Sequence, residues 1–193
     1  MVRWLWFHNT PSPPPAAFSK LTRVQVVARP QYESPDFDGF DGIIVPMHAD
    51  QRHLSGLSSR LDRFVDDGGA ILVNGHVAHP FLPELERFVP VVNRDLEGLT
   101  LHRELDHPLF AGVPVETLTF NKGVAGFYGR GGNPAPPEAT VIHTVGRERL
   151  PVDWVLRRPS GGRLFVHSGN TIVASLRRAG ILERFLCQLG RRP

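Results

Sequence analysis

The stretch that decides the fold runs from residue 41 to residue 76 and reads DGIIVPMHADQRHLSGLSSRLDRFVDDGGAILVNGH. It opens with an apolar run at 43–45, which is typical of a strand buried on both faces of a parallel sheet. From 51 to 67 the apolar residues lie on one face of a predicted helix, and Gly68-Gly69 would end that helix. A second apolar run at 70–73 completes a strand-helix-strand unit, whose parallel strands require a right-handed crossover.

Further elements are predicted on both sides of this unit. Upstream, apolar runs at 2–7 and 24–28 predict two strands, separated by a proline-rich loop at 9–15 and a short helix at 16–21. Downstream, we expect a short helix at 84–88 and an amphipathic helix from 172 to 189, interrupted at Gly180. The later strands are expected at 99–105, 117–120, 140–145, 152–156 and 163–166.

Together these elements predict one α/β domain over residues 1–193, with a three-layer, flavodoxin-like and mostly parallel sheet. A β-rich excursion between 95 and 165 would precede the C-terminal helix. Within it, residues 123–137 hold five glycines and three prolines, which predicts a long surface loop.

Composition restricts the class of protein. No apolar run approaches the roughly 20 residues that cross a bilayer, and the N-terminal run is too short for a signal peptide, so we expect a cytoplasmic protein with no membrane partner. The 22 Lys and Arg residues are interspersed with 19 Asp and Glu residues, which argues against nucleic acid as a partner. The single cysteine, Cys187, cannot form an internal disulfide, and any metal would need histidine or carboxylate ligands.

Five of the nine histidines follow predicted strands or the turn after one, and we call them the rim histidines: His8, His48, His76, His79 and His167. Ligands of open parallel sheets bind beyond the carboxyl ends of the strands, so we predict that these rings converge on one cleft. Imidazole both binds metals and exchanges protons near neutral pH. The alternative for each ring is a polar cap bonded to backbone, and this alternative is expected for His102, His107 and His143.

The predicted site has catalytic, metal-binding and substrate-binding residues. Asp50 would orient His48 or act as a base, although it is also placed to cap the following helix. The loop at 123–137 could grip a sugar ring with its aromatic and guanidinium groups, or its aromatics could tuck back onto the domain. The catalytic candidates are His76, His79 and Asp50. The metal candidates are His8, His48, His76 and His167. The substrate-binding candidates are Asn74, Phe127, Tyr128, Arg130 and Asn170.

Several motifs resemble a known superfamily. DGIIVP at 41–46, DGG at 67–69 and ILVNGH at 71–76 are similar to the central unit of the class I glutamine amidotransferase-like superfamily, whose sheet is flavodoxin-like. DHPLFAGVP at 106–114 and PVDWVLRRPSGGRLFVHSGN at 151–170 resemble its ThuA-like (trehalose utilisation) branch. That branch is linked to sugar metabolism and carries histidines along the same strand ends. It often has Gly-His after the last strand, where this chain has Gly169-Asn170.

The resemblance also implies what the chain lacks. The amidotransferases place a nucleophilic cysteine at the elbow after the fourth strand, whereas residues 74–78 here read NGHVA, with no thiol or hydroxyl. Glutamine hydrolysis is therefore not expected. We expect a protein that binds or transforms a sugar-like small molecule, with a divalent ion such as zinc as the candidate cofactor rather than calcium. The alternative is an inactive module that binds a ligand or a partner, and homo-oligomerisation stays open.

Overall fold

The computed structural model describes residues 1–9, 14–33, 36–170 and 172–190. In this part of the chain the strands are β1 Val2–His8, β2 Val24–Pro30, β3 Gly42–Val45, β4 Ala70–Asn74, β5 Val89–Pro90, β6 Leu101–Arg103, β7 Gly131–Gly132, β8 Thr140–Val145, β9 Leu150–Arg157 and β10 Arg163–His167. The helices are α1 Gln51–Gly56, α2 Ser58–Asp66, α3 Val115–Thr119, α4 Ile172–Arg178 and α5 Leu182–Leu189. Single 3-10 turns lie at Phe18–Lys20, Glu97–Leu99 and Pro108–Phe110.

Eight of the strands form one sheet in the order β2-β1-β3-β4-β10-β9-β8-β6. The first five strands are parallel to their neighbours, and β9, β8 and β6 add to them in antiparallel fashion. The remaining two, β5 and β7, pair with each other. The predicted α/β class and mostly parallel sheet are confirmed, and so is the parallel pairing of β3 with β4 around two helices.

Apolar side chains are buried on both faces of the parallel strands. Trp4 and Ile44 belong to one hydrophobic cluster, which also takes the apolar residues of α4 and α5. Leu5 and Ile43 belong to a second cluster, together with apolar residues of α1 and α2. Burial on both faces explains why these strands are continuous apolar runs in the sequence rather than alternating ones.

The helix predicted at 51–67 is interrupted. Leu57 ends α1 and begins α2 with a backbone conformation outside the helical region.

The break predicted at Gly180 is confirmed, since that residue has a φ of 71° between α4 and α5. Residues 10–13 of the predicted proline-rich loop lie outside the described residues, and the helix expected at 16–21 is only a 3-10 turn.

Two short predictions are wrong. Residues 84–88 form no helix: an isolated helix that short is unstable, and Glu84 instead ties the segment to Arg158, whose Nε and Nη2 donate to its carboxylate at 3.0 and 2.6 Å. Residues 117–120 are not a strand, because the chain after Pro114 turns into α3. None of the helices in the described ranges is long and apolar enough to span a membrane.

Candidate functional site

Three neighbouring strands bring their polar side chains to one carboxylate. In the antiparallel register, Asp153 of β9 stands opposite His143 of β8 and His167 of β10. Nδ1 of His143 lies 2.7 Å from Oδ2 of Asp153, and Nδ1 of His167 lies 2.7 Å from Oδ1. The Tyr128 hydroxyl donates to Oδ2 at 2.7 Å. We call these four residues the Asp153 cluster.

The Asp153 cluster is closed to solvent. Asp153 and His143 are fully buried, and His167 and Tyr128 are 1% and 2% exposed. Phe110 packs edge-on against the His143 ring, and Tyr128 packs in the same way against His167, each with ring centroids 4.6 Å apart. These aromatic contacts exclude water from around the carboxylate.

The loop after β10 completes the enclosure, and it depends on Gly169. A Cβ on this residue would lie 2.6 Å from Nε2 of His167 and 1.7 Å from the backbone carbonyl oxygen of Tyr128. Both distances are far below van der Waals contact. The loop can therefore lie this close to the cluster only because residue 169 carries no side chain.

The charges of the cluster compensate one another. Burial by itself would raise the pKa of Asp153, but the positive charge and the hydrogen bonds of His167 and His143 lower it to about 2. Burial and the neighbouring Asp153 charge raise the pKa of Tyr128, so its hydroxyl keeps the proton that it donates. Asp153 is therefore an ionised carboxylate at neutral pH that accepts three hydrogen bonds.

The carboxylate also orients both imidazole rings. Each ring directs Nδ1 at Asp153, which places the acceptor of a neutral imidazole on Nε2, the arrangement of a general base. Nε2 of His143 and Nε2 of His167 are buried and have no hydrogen-bond partner in the described part of the chain. Each histidine thus forms with Asp153 a pair that has the geometry of a catalytic dyad, but neither pair is accessible to solvent.

Two rim histidines lie near each other. His76, the residue after Gly75 beyond β4, is exposed and stacks on Phe88 with ring centroids 3.6 Å apart. Burial of part of the ring lowers the pKa of His76, and the charge of His167 lowers it further, which places the two rings within electrostatic reach. His79 instead accepts a hydrogen bond from Nε of Arg52 at 3.2 Å.

The other rim residues make local contacts. The backbone carbonyl of His8 accepts the Gln31 amide at 2.8 Å. The backbone carbonyl of His48 accepts a hydrogen bond from the Asn9 side chain, and the His48 side chain is exposed. Neither residue has a contact with the other rim rings among those that we observe in the described ranges. The convergence of the five rings on one cleft stays a prediction; among the described residues, the link that we observe between rim rings is the effect of the His167 charge on His76.

Asp50 caps α1, as the sequence predicts. Its Oδ1 accepts the backbone amides of Arg52 and His53 at 3.0 and 3.1 Å, and its Oδ2 accepts the Tyr32 hydroxyl at 3.1 Å. The pKa of the Asp50 carboxyl is lowered, chiefly because the carboxylate accepts the hydrogen bond from the backbone amide of His53. We observe no contact of this carboxylate with His48, and its role as a base stays a prediction.

The predicted substrate-binding residues divide into two groups. Asn74 is buried and ties the loop after β10 to the elbow, since its Nδ2 donates to the Asn170 carbonyl at 3.0 Å and its Oδ1 accepts the Ile172 amide at 2.8 Å. In the glycine-rich loop, Phe127 is 49% exposed, whereas Tyr128 points into the Asp153 cluster. Arg130 is exposed and donates through Nε to the carbonyl of Gly126 at 2.9 Å.

The expected sugar-gripping surface of two aromatic rings and Arg130 is not formed, because Tyr128 tucks back onto the domain. The sequence left two alternatives open: the aromatic side chains of this loop could grip a sugar ring or tuck back onto the domain. Tyr128 tucks back onto the domain, and Phe127 remains exposed to solvent.

Two amide side chains hold the elbow at 74–78, and sequence reasoning missed both. Oε1 of Gln51 accepts the amides of residues 78 and 79 at 2.7 and 2.9 Å, and its Nε2 donates to the His76 carbonyl at 2.7 Å. Asn133 accepts the Val77 amide at 3.0 Å and donates to the Gly75 carbonyl at 2.9 Å. Neither residue stands in a motif that would have revealed it.

The cluster itself had a signal in the sequence. Asp153 is a charged residue inside the apolar strand segment PVDWVL, and His143 stands inside TVIHTV. A charge in the middle of a buried strand needs a partner, so these two residues could have been paired before the structure was known. The expectation that His143 is a polar cap bonded to backbone is wrong, because its ring pairs with Asp153.

The arrangement does not offer a metal site of the predicted kind. In the described residues, no three or more His, Cys, Asp or Glu side chains are grouped so that they could hold an ion. A structural zinc site needs four convergent ligands, and a catalytic one needs three. Because fewer than three such ligands converge anywhere in the described ranges, the residues as placed do not fit zinc. Metal binding by His8, His48, His76 and His167 stays a prediction.

Comparisons with known proteins identify the fold alone. No family model matches the chain, and no curated protein matches it. Among solved structures, the N-terminal domain of mmIFT52 is similar over 97% of this chain and 97% of its own, with a TM-score of 0.52 and 14% identity. A cold-adapted β-galactosidase from Rahnella sp. R3 is similar over 98% of this chain, with a TM-score of 0.57 and 13% identity. This chain spans 32% of that enzyme's length.

Proposed function

We propose that this chain is a non-hydrolytic, amidotransferase-like module that binds a ligand or a partner and performs no catalysis at its strand ends. The order of its parallel strands, β2-β1-β3-β4-β10, supports a flavodoxin-like sheet, for which 2-1-3-4-5 is the characteristic order. The buried helix residues on the two faces of these strands support the three-layer arrangement.

One observation carries the proposal: the Asp153 cluster, which has the composition of an acid-base site, is sealed. A general base must come within hydrogen-bond reach of the proton that it removes. The Nε2 atoms of His143 and His167 are buried, and Gly169 lies directly over one of them. The buried carboxylate network is therefore assigned a structural role, which is to join β8, β9, β10 and the glycine-rich loop.

The elbow supports the same proposal. Residue 76, which follows Gly75 as the nucleophile follows the turn in an amidotransferase elbow, is a histidine stacked on Phe88. Cys187 lies on α5 and packs against the hydrophobic cluster on that side of the sheet. No thiol is thus placed to form an acyl intermediate at the elbow, and we propose that the protein does not hydrolyse glutamine.

Carbethoxylation of histidines by diethylpyrocarbonate, read by mass spectrometry, tests this proposal. His48 and His76 are exposed and should react quickly. His143 and His167 should react more than about tenfold more slowly, because their reaction requires local opening. Rapid modification of His167 at the rate of His76 would show an accessible ring and contradict the proposal, as would glutamine hydrolysis by the purified chain.

A ThuA-like sugar-binding function is the second candidate. The observation that favours it is the exposed His76 ring within electrostatic reach of His167, with Phe127 exposed on the glycine-rich loop. The β-galactosidase acts on galactosides, as its name says, but its low identity carries only the fold to this chain.

Titration with trehalose and galactose, followed by NMR of the histidine ring protons, decides between the two candidates. Saturable shifts of the His76 ring protons, together with loss of affinity for the same sugar in His76→Phe, which keeps a ring on Phe88, would favour sugar binding at the strand ends. Unchanged spectra would favour the module.

A further inference from the structure

β2 is a long edge of the main sheet. It stands first in the strand order, and in the described part of the chain it pairs with β1 alone. Its seven residues, VQVVARP, include no acidic residue and no lysine, and their register with β1 has no bulge. Natural sheets protect an edge with charged side chains, prolines, bulges or a very short strand. The opposite edge follows this rule, since β6 has three residues, whereas β2 does not.

The hydrogen bonds to β1 show which residues of β2 face outward. The Val2 amide donates to the Arg23 carbonyl at 2.9 Å, and the Gln31 amide donates to the His8 carbonyl at 2.8 Å. In a parallel ladder, a strand bonds one neighbour through every second residue. The odd-numbered residues of β2 therefore bond to β1, and the even-numbered ones direct their backbone groups away from the sheet.

These outward backbone groups form an unpaired edge. Val26 and Ala28 each present an N–H and a C=O there, and both residues are half-buried. The contact that we observe to these groups within the described ranges comes from the Arg29 side chain, whose Nη1 donates to the Ala28 carbonyl at 3.1 Å. At the start of the strand, Glu183 of α5 accepts the Arg23 amide at 2.6 Å. The edge beyond that residue is a template for another strand.

The side chains along this edge are apolar on both faces of the sheet. Val26 packs against the hydrophobic cluster that contains Trp4, and Val27 packs against the one that contains Leu5. On the Val26 face, a groove of about 420 Å³ runs beside β2, with Phe18 among its lining residues. The described part of the connection from β1 to β2 has a single 3-10 turn where a crossover helix is usual. A strand added at this edge would therefore cover apolar surface as well as pair its backbone.

The order of side chains suits a second copy of the same chain. In a two-fold dimer, β2 pairs antiparallel with itself, and the residue on the axis fixes every opposite pair. With Val27 on the axis, Val26 stands opposite Ala28, so that the outward backbone groups of both residues are paired. Gln25 then stands opposite Arg29, which gives the guanidinium group a carbonyl acceptor. No two like charges face each other in this register.

The neighbouring register is less favourable. With Val26 on the axis, Arg23 of one copy would stand opposite Arg29 of the other, and like charges directly opposite each other are destabilising. Ala28 would then pair with Val24, whose side chain is already buried in the monomer. Charge and exposure therefore both favour the register with Val27 on the axis.

We propose that β2 pairs antiparallel with β2 of a second copy across a two-fold axis at Val27, which joins two eight-stranded sheets into one. Arg29 leaves the Ala28 carbonyl on pairing and donates to Gln25 of the other copy. A single strand pair is a small interface, so the expected Kd is of the order of 10 µM. The inference goes beyond the proposed function and does not depend on it, because β2 contains none of the rim histidines and no residue of the Asp153 cluster.

Sedimentation velocity of the full chain measures the association. Between about 1 µM and about 500 µM, the mean mass should rise from that of the 21.5 kDa monomer toward twice that value. Ala28→Pro removes an outward N–H that has no partner in the described chain, and proline is tolerated on edge strands. It should weaken dimerisation about ten- to a hundredfold, because each copy loses one bond to the other. The matched control, Ala28→Val, keeps the N–H and should dimerise like the wild type.

Disulfide crosslinking tests the register and does not require the proline variant to fold. In Val27→Cys the two new thiols lie on the axis, where Cα atoms of a non-hydrogen-bonded pair are about 4.5 Å apart, within disulfide range. In Val26→Cys they are diagonal neighbours about 7–8 Å apart, which is too far without backbone movement. Mild oxidation should therefore link Val27→Cys and leave Val26→Cys unlinked. Peptide mapping by mass spectrometry separates this link from any disulfide of Cys187.

Four results would overturn the inference. They are a monomer at every concentration, equal dimerisation of folded Ala28→Pro and Ala28→Val, equal crosslinking of the two cysteine variants, and crosslinking of Val26→Cys in place of Val27→Cys. The first would leave the edge to a strand of a different protein, and the last would show the other register. Rapid modification of His167 would contradict the proposed function and leave this dimer untouched, so the two failures are distinguishable.

Discussion

Replacement of Asp153 by asparagine is the sharpest perturbation of the Asp153 cluster. The side chain keeps its size, but loses its charge and exchanges one acceptor oxygen for an NH2 donor. Oδ1 accepts from His167, and Oδ2 accepts from both His143 and Tyr128. Whichever way the amide is turned, at least one donor then faces another donor in a space without water.

The magnitude follows from burial. Loss of one partner from a buried ion pair costs about 3–5 kcal/mol. The separate estimate of about 1.5–3 kcal/mol for each hydrogen bond to a charged group, with one or two bonds lost, overlaps with that range. For a chain of this length, each kcal/mol lowers the Tm by about 2–4 °C, so the expected decrease is about 6–20 °C.

Thermal unfolding and urea unfolding of Asp153→Asn measure this loss, with Asp106→Asn as the control. Asp106 also pairs with a cation, Arg103 at 3.2 Å, but its side chain is 92% exposed and the pair is screened by water. The control should unfold at nearly the wild-type temperature. If the two variants unfold at the same temperature, the buried carboxylate does not hold the three strands together and the reasoning is refuted.

Three further predictions concern the same cluster. Tyr128→Phe removes one donor to the charged carboxylate and should lower the free energy of unfolding by about 1.5–3 kcal/mol in urea titrations. Gly169→Ala places a methyl group against the Tyr128 carbonyl and should cost about 1–3 kcal/mol, measured in the same way; a wild-type value would show that the loop lies farther away. Acid should weaken the fold through Asp153: its pKa is about 2 in the folded state and about 3.9 in the unfolded chain, so the stability it contributes is present above pH 4 and is lost as the pH falls from about 4 to 2. Asp153→Asn should lack this part of the pH dependence.

The parallel core was predictable because its strands are buried on both faces. Runs such as IIV at 43–45 are typical of strands inside a covered sheet, and the glycine pair at 68–69 marks the end of the intervening helix. Short elements were not predictable in this way. The segment at 117–120 is apolar and β-branched enough for a strand, yet its backbone follows the turn at Pro114 into α3. Tertiary context decides the conformation of so short a segment.

The site was harder to predict than the fold. The rule that residues after parallel strands lie at one edge of the sheet selects His76 and His167, and the charge of His167 acts on His76. The same rule also selects His8 and His48, whose backbone carbonyls accept local hydrogen bonds. The rule uses position along the chain alone and does not register which way a side chain points. The sequence predicts a backbone-bonded role for His143, which does not follow a strand, whereas antiparallel pairing brings its ring to Asp153. Pairing of antiparallel strands is a non-local property that residue spacing does not reveal.

The hydrogen bonds of the two imidazole rings to Asp153 test the account most directly. In NMR spectra at neutral pH, the Nδ1 protons of His143 and His167 should give two strongly deshielded signals that exchange slowly with water, because both lie in a closed space beside a carboxylate. Both signals should be lost or strongly shifted in Asp153→Asn. If the Nδ1 proton of His167 exchanges rapidly with solvent, or if its signal is absent from the spectrum of the wild-type protein, the cluster is not sealed. A catalytic site at the strand ends would then again be a candidate.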